Sequence, residues 1–455
     1  MSPDPPAPAR SHALRICALA GLAVYATGMF ATAHDPLGPS LRLAGLGLLA
    51  FVAFKRSTIT TWTFFAIIAG TELGVDAPGA AVHLHVLAEI FLRLVRVIVA
   101  PLILGTLATG IAGHGRLRSL GRIAWKTFLY FEIVTTLALA IGAVAIHISR
   151  AGEGIALPAT NSANDSIATV VTHPGVESFL LNIFPENIAL AVSQNQILQV
   201  AVFAILFGIS LALLRDEKRA PMLALLTSLT DVMFQFTKLI MYFAPIAAGA
   251  AMSYTVGSMG LSTLLPLGKL VATFYGAAVA FVLLVLLPVV LLAGIPLSAF
   301  LKAISEPAAI AFATSTSEAA LPLAMERMEK FGVPRWIVSF VIPSGYSFNM
   351  DGASLYLSIA AIFAAQASGI HLTLGEEVAM LLTLMVTSKG IAGVPRAVLA
   401  ILLATAASFH LSTAAVMMIL GVDALIDMGR TGLNVAGNCL ASAVVGQWEN
   451  RRPTV

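Results

Sequence analysis

The residues in this chain that can do chemistry sit where they are costly to hold. Asp351, Asp423, Asp427 and Arg430 fall within long apolar stretches, and Glu132 lies in another. A charged side chain at the centre of a bilayer costs about 3 kcal/mol even on the gentlest scale, so each is a functional candidate. Asp427 and Arg430 are three positions apart and share a helix face. Two readings stand: a structural ion pair, or a receptor for a small solute bearing carboxylates or both charge signs. Arginine offers a planar fork to a carboxylate, and aspartate accepts from an ammonium. Thr431 and Asn434 extend the same polar stripe. Asn349-Met350-Asp351-Gly352 sets an amide, a carboxylate and a helix breaker inside an apolar run. Unwound backbone there exposes carbonyl oxygens, the ligands that hard cations take; a plain glycine kink is the alternative. Ser315-Thr316-Ser317 would offer hydroxyls and the free amides of a helix N-terminus, which favour anions.

Lipid must be the solvent for the elements that carry these groups. Hydrophobic residues make up 58% of the 455 and charged residues 11%, against roughly 25% charged in soluble domains. Apolar runs recur near residues 23, 48, 66, 100, 135, 200, 240 and 280. Basic clusters follow alternate runs: Lys55 and Arg56; Arg116 to Lys126; Arg215 to Arg219; Arg327 to Arg335; Arg451 and Arg452. The intervening segments, with Asp35, Glu72 and Asp76, Glu153 to Glu186, and Glu376 with Glu377, are acidic. The positive-inside bias then places both termini in the cytoplasm and the polar loop at residues 151–178 outside. Residues 1–57 read as a retained transmembrane pair, expected to be dispensable for activity. Cys17 and Cys439 lie in apolar runs and form no disulfide framework.

From Ser298 onward the apolar stretches are broken. One half is a hairpin with its tip at 313–318, then a helix interrupted at Ser347–Gly352. The other is a hairpin with its tip at Ser388–Pro395, then a helix carrying Asp427–Thr431 and Asn434–Asn438. The charge bias brings the hairpins in from opposite sides. Inverted repeats with broken helices mark alternating-access transport. The expected organisation is an N-terminal pair at 1–57, six helices at 58–297, a core of hairpin, broken helix, hairpin and broken helix at 298–448, and a tail at 449–455. The fold class is all-α polytopic membrane protein, with about eight further spans and two re-entrant hairpins.

Ser315–Pro322, Asn349–Gly352, Ser388 with Ala392–Pro395, and Asp427–Thr431 with Asn434 and Gly437 stand in this order and at proper spacing. In these residues the chain closely resembles the dicarboxylate/amino acid:cation symporter family, which includes the glutamate transporters. The resemblance extends more weakly back to about Thr58. It implies a homotrimer whose transport domain moves against a scaffold like an elevator, importing an acidic amino acid or a C4-dicarboxylate with a coupling cation and no other cofactor. It implies that the tip Ser315, Thr316 and Ser317 and the backbone of Gly393 and Val394 close over substrate. Arg430 would hold a side-chain carboxylate and Asp427 the ammonium, with Thr431 and Asn434 at the α-carboxylate. Thr135, Gly345, Ser347, Asn349, Asp351, Ser388, Asn434 and Asn438 would line cation positions. Dicarboxylate-type members tend to lack an acid at the position of Asp427, which favours an amino acid.

The departures from the family pattern favour protons over sodium. Asn438 stands where sodium-coupled members have an aspartate, and Phe131 and Val134 where they have a tyrosine and a threonine. Ala353 replaces a substrate-contacting threonine, and Val398 replaces a glycine. Glu132 is the candidate proton carrier. His83 and His85, with Glu89, form at most half a zinc site. The chain has no HExxH or GxSxG motif and no histidine among its core motifs, which leaves an intramembrane enzyme without a nucleophile–base pair.

Overall fold

The computed structural model describes residues 8–30, 37–112, 117–155, 184–194, 197–389, 397–409 and 411–450. Most of the polar loop, the second tip with Gly393 and Val394, and the tail from Arg451 lie outside them. The described residues fold as helices only. In chain order these are α1 (Pro8–Phe30), α2 (Leu37–Arg56), α3 (Ile59–Asp76), α4 (Pro78–His83), α5 (His85–Ala112), α6 (Leu117–Ser149), α7 (Ile188–Ser193), α8 (Ile197–Ala212), α9 (Asp216–Met241) and α10 (Ala244–Met259). There follow α11 (Leu264–Phe281), α12 (Leu287–Ala293), α13 (Leu297–Thr314), α14 (Ser317–Phe331), α15 (Arg335–Phe348), α16 (Asp351–Ala367), α17 (Leu374–Ser388), α18 (Ala397–Ser408) and α19 (Thr413–Asn450). Seven helical segments among the described residues are long and apolar enough to cross a membrane. The chain is an all-α, multi-pass membrane protein.

Three details differ from the sequence reading. The run centred near residue 240 is two helices, α9 and α10, meeting at Tyr242–Phe243. Pro245 has no N–H to bond back one turn, so it opens a new helix instead of extending the old one. The last helix, expected to be broken, runs without interruption from Thr413 to Asn450. It contains no proline, and the glycines it does contain allow close helix contacts without unwinding. Glu72 and Asp76, read as loop acids, lie within the last turns of α3.

Two compact units share the chain. The first covers Met1–Phe91 and Met241–Thr263, the second Leu92–Ile240 and Leu264–Val455. In the first, α1 packs on α2, α2 on α3, and α3 on α10. A polar cluster fastens the N-terminal pair to α3. Tyr25 donates from its hydroxyl to Glu72 Oε2 at 3.1 Å. Arg42 reaches Glu72 Oε1 at 3.4 Å and Asp76 Oδ1 at 3.1 Å. The pair is therefore bonded to its neighbour through a buried carboxylate, not merely appended.

In the second unit α6 acts as a measuring rod. Near one end Lys126 pairs with Glu449 at 2.5 Å, and near the other His147 contacts Glu377 at 2.9 Å. Those two positions are roughly 30 Å apart along the helix, the thickness of a hydrocarbon core. Between these polar ends α16 is buried almost throughout and packs on both α6 and α19. The α13–α14 pair packs on α19, and α17 and α18 pack on α16. A capping box starts α17: Thr373 Oγ1 accepts from the Glu376 N–H while Glu376 accepts from the Thr373 N–H.

Arg42→Ala leaves the buried Glu72 without its cation. It should cost about 1.5–3 kcal/mol, read as a lower melting temperature of the detergent-solubilised protein. Tyr25→Phe, which removes one neutral hydroxyl donor, should cost less. Equal losses from the two variants would mean that charge pairing is not what fastens the N-terminal pair.

Candidate functional site

The site is built around a break in a buried helix. The helix that begins at Arg335 stops at Phe348 and resumes at Asp351. Asn349 and Met350 take non-helical dihedrals, with ψ of 72° and 64°. The Asn349 N–H closes the first segment on the Gly345 carbonyl at 2.8 Å. A new helix starts with orphan amide donors that need partners. Asn434 of α19 supplies the cap, its Oδ1 accepting from Gly352 N at 2.8 Å and Ala353 N at 3.3 Å. Asp351 occupies the first helical position of α16, where the helix dipole favours a carboxylate.

Around the break the amides interlock. Asn349 Nδ2 donates to Asp351 Oδ2 at 3.2 Å and to Asn438 Oδ1 at 3.0 Å. Asn349 Oδ1, Asp351 Oδ1 and Asn438 Nδ2 are buried without a hydrogen-bond partner among the described residues. Two unpartnered acceptor oxygens on neighbouring residues suit a cation. Close approach of α16 and α19 requires glycine at the contacts. A Cβ on Gly352 would lie 2.3 Å from the Arg430 carbonyl oxygen, and one on Gly437 only 1.9 Å from Asp351 Oδ2.

One to two turns before the cap, α19 carries the charged pair. Arg430 Nε donates to Asp427 Oδ1 at 2.6 Å, and Nη2 shares the same oxygen. Both side chains are buried, and Arg430 Nη1 has no hydrogen-bond partner among the described residues. Thr431 donates to the Asp427 carbonyl at 2.7 Å. The Tyr356 ring lies under the guanidinium at 5.9 Å, and its hydroxyl donates to Asp423 Oδ1 at 2.9 Å.

The structure thus brings together Asn349, Asp351, Asn434 and Asn438, and separately Asp427 with Arg430 and Thr431, all on or against α19. Thr135 is buried on α6, Gly345 lies against Asn438, and Ser347 lies in the last turns of α15. Ser388 ends α17, but its hydroxyl is turned to the Met385 carbonyl of its own helix at 3.0 Å. The tip Ser315, Thr316 and Ser317 joins α13 to α14. Ser315 takes a left-handed backbone (φ 53°), and Thr316 opens α14 without a side-chain cap of its own. Gly393 and Val394 lie outside the described residues. His85 bonds through Nδ1 to the Val82 carbonyl of its own turn at 2.9 Å, which uses one of its two ring nitrogens.

Sequence reasoning missed Tyr356 and, above all, Lys389. Lys389 Nζ donates to Thr135 Oγ1 and to the Phe348 carbonyl, each at 3.0 Å, and lies 3.1 Å from Glu132 Oε1. The signal was available: a lysine beside an apolar hairpin limb is as costly as the aspartates that did draw notice. Glu132 is therefore an ion-pair partner at the edge of the site, with its side chain about half exposed.

A family model described as the sodium:dicarboxylate symporter family matches residues 59–448. The chain belongs to the sodium:dicarboxylate symporter family. The match begins just after α2, so the N-terminal pair lies outside the common plan, and it contains every residue of the site. Among relatives, the chain is 39% identical to a proton/sodium-glutamate symport protein of Geobacillus stearothermophilus over 85% of its own length and 94% of the relative's. It is 39% identical to the proton/glutamate-aspartate symporter of Escherichia coli, over 80% and 84%. It is 40% identical to a C4-dicarboxylate transport protein of Anaeromyxobacter sp. (strain K), over 84% and 88%. As a member of a symporter family, this membrane protein has a small solute and a coupling cation as its natural partners.

The packing of α16 on α19 yields a stability test. Gly437→Ala drives a methyl group into the Asp351 carboxylate and should cost on the order of 2 kcal/mol. Gly276→Ala, on the open face of α11 with no neighbour within 4 Å, should be neutral or stabilise by up to about 1 kcal/mol. Thermal unfolding of the two purified variants decides it; a Gly437→Ala protein as stable as the wild type would contradict the described contact.

Proposed function

We propose that this chain imports acidic amino acids, glutamate or aspartate, together with protons. The buried Arg430–Asp427 pair carries the reading: opposite charges side by side in an apolar helix, with one guanidinium nitrogen that has no hydrogen-bond partner among the described residues. Arg430 holds the distal carboxylate of the solute and Asp427 its ammonium. Thr431 and the amide nitrogen of Asn434 serve the α-carboxylate. The tip Ser315–Ser317, with the helix N-terminus it opens, and the backbone of Gly393 and Val394 close over it. The cation positions draw on Thr135, Gly345, Ser347, Asn349, Asp351, Ser388, Asn434 and Asn438. Asn438 gives a weaker field for sodium than a carboxylate would, and buried Phe131 and Val134 offer it no oxygen, which is why protons are preferred. The reading extends to a homotrimer in a bacterial inner membrane, with both termini cytoplasmic and the region around the broken helix moving as an elevator against a scaffold. It assigns no catalytic residue. Two of the relatives above are named for glutamate, in support of this substrate class.

A C4-dicarboxylate such as succinate is the second reading, since relatives of equal similarity carry that name. Competition assays separate the two. For an amino-acid carrier, Asp427→Asn weakens aspartate far more than succinate, which has no ammonium. Losing one partner of a buried charged hydrogen bond costs about 2–5 kcal/mol, so the loss should exceed roughly tenfold. Arg430→Ala should abolish aspartate transport while admitting neutral amino acids. Equal losses of aspartate and succinate in Asp427→Asn would reduce Asp427 to a structural partner of Arg430 and remove the main support for an amino acid.

A further inference from the structure

Lys389 directs a full positive charge into the helix break. It follows the last residue of α17, and its side chain is 10% exposed. A lysine at the end of a hairpin limb can reach outward and keep its ammonium in water. This one turns inward, to oxygens from two other elements. The Phe348 carbonyl at the end of α15 and the Thr135 hydroxyl of α6 both accept from Nζ at 3.0 Å, and the Glu132 carboxylate of α6 is 3.1 Å away. Two of the ammonium's three hydrogens are taken by the carbonyl and the hydroxyl, and the carboxylate pairs with its charge. A carbonyl beside unwound backbone, a hydroxyl and a carboxylate form the type of oxygen set that a hard monovalent cation takes.

We propose that Lys389 is a built-in cation that sets the coupling-ion specificity of this transporter. Its ammonium holds the carbonyl, hydroxyl and carboxylate oxygens that an alkali cation would otherwise gather. A sodium ion at the same oxygens would meet a like charge at contact distance, so the chain closes the break without one. The role is that of a fixed charge, and it rests on the reading of the chain as a cation-coupled carrier. It also accounts for Phe131 and Val134. With the charge supplied by the chain itself, those positions need no oxygen.

The test is aspartate binding to the purified full-length protein in lipid nanodiscs, by calorimetry at fixed pH, in choline chloride and in sodium chloride. The wild type should bind with affinities within about twofold in the two salts. Lys389→Met should lose at least about tenfold in choline and recover most of it in sodium. Lys389→Arg, which keeps the charge, should stay indifferent to sodium. A wild type that needs sodium overturns the proposal, even where Lys389→Met fails to fold. So does a Lys389→Met protein that binds equally tightly in both salts. A wild type that binds no aspartate in either salt removes the amino-acid reading instead; the same arms with succinate then test Lys389.

Discussion

A helix cannot be broken inside a membrane protein unless something answers for the freed backbone groups, and much of this site is that answer. The gap at Asn349–Met350 leaves carbonyls at the end of α15 and amides at the start of α16. Asn434 caps the amides, Lys389 binds the Phe348 carbonyl, and Asn349 ties the gap to Asn438. These partners come from α19 and from the residue that follows α17, so the break depends on both being in place. A buried backbone group left without a partner costs about 1–3 kcal/mol.

The same economy of charge shapes the rest of the molecule. Most described ion pairs lie toward helix ends or in the tight cluster of Arg42, Glu72 and Asp76. Deep inside, Arg430 is paired with Asp427 and Lys389 with the half-exposed Glu132, while buried Asp351 and Asp423 accept from Asn349 and Tyr356. A buried pair of this kind adds little net stability, because desolvation offsets the attraction. In the proposed reading it serves as the receptor for a charged solute. Arg430 is held by Asp427 and by the face of Tyr356, which fixes the direction of Nη1, the nitrogen without a hydrogen-bond partner among the described residues.

Much of this was legible in the sequence. The spans followed from apolar runs, and the break followed from an amide, a carboxylate and a glycine in succession. The polar stripe of Asp427, Arg430, Thr431 and Asn434 followed from helical spacing. Other features were not legible, for physical reasons. A glycine-containing polar segment in an apolar run reads alike whether the helix kinks, breaks or continues, so the unbroken course of α19 could not be told from the broken course at Asn349. The outcome depends on whether a neighbouring side chain is placed to cap the new amides. Asn434 looked like a substrate ligand, and its carbonyl oxygen proves to be that cap. Lys389 was passed over because its partners, Thr135, Glu132 and Phe348, lie far from it in sequence. The junction at Pro245 was hidden inside one continuous apolar stretch.

The central claim is that this family member carries an acidic amino acid with protons, its own lysine standing in for sodium at the break. The most direct measurement is uptake of radiolabelled aspartate into proteoliposomes holding the purified protein, with a pH gradient and a sodium gradient imposed separately. The account predicts accumulation when the outside is acid, with or without sodium, and none from a sodium gradient at equal pH. Accumulation that follows the sodium gradient and ignores the pH gradient would contradict it.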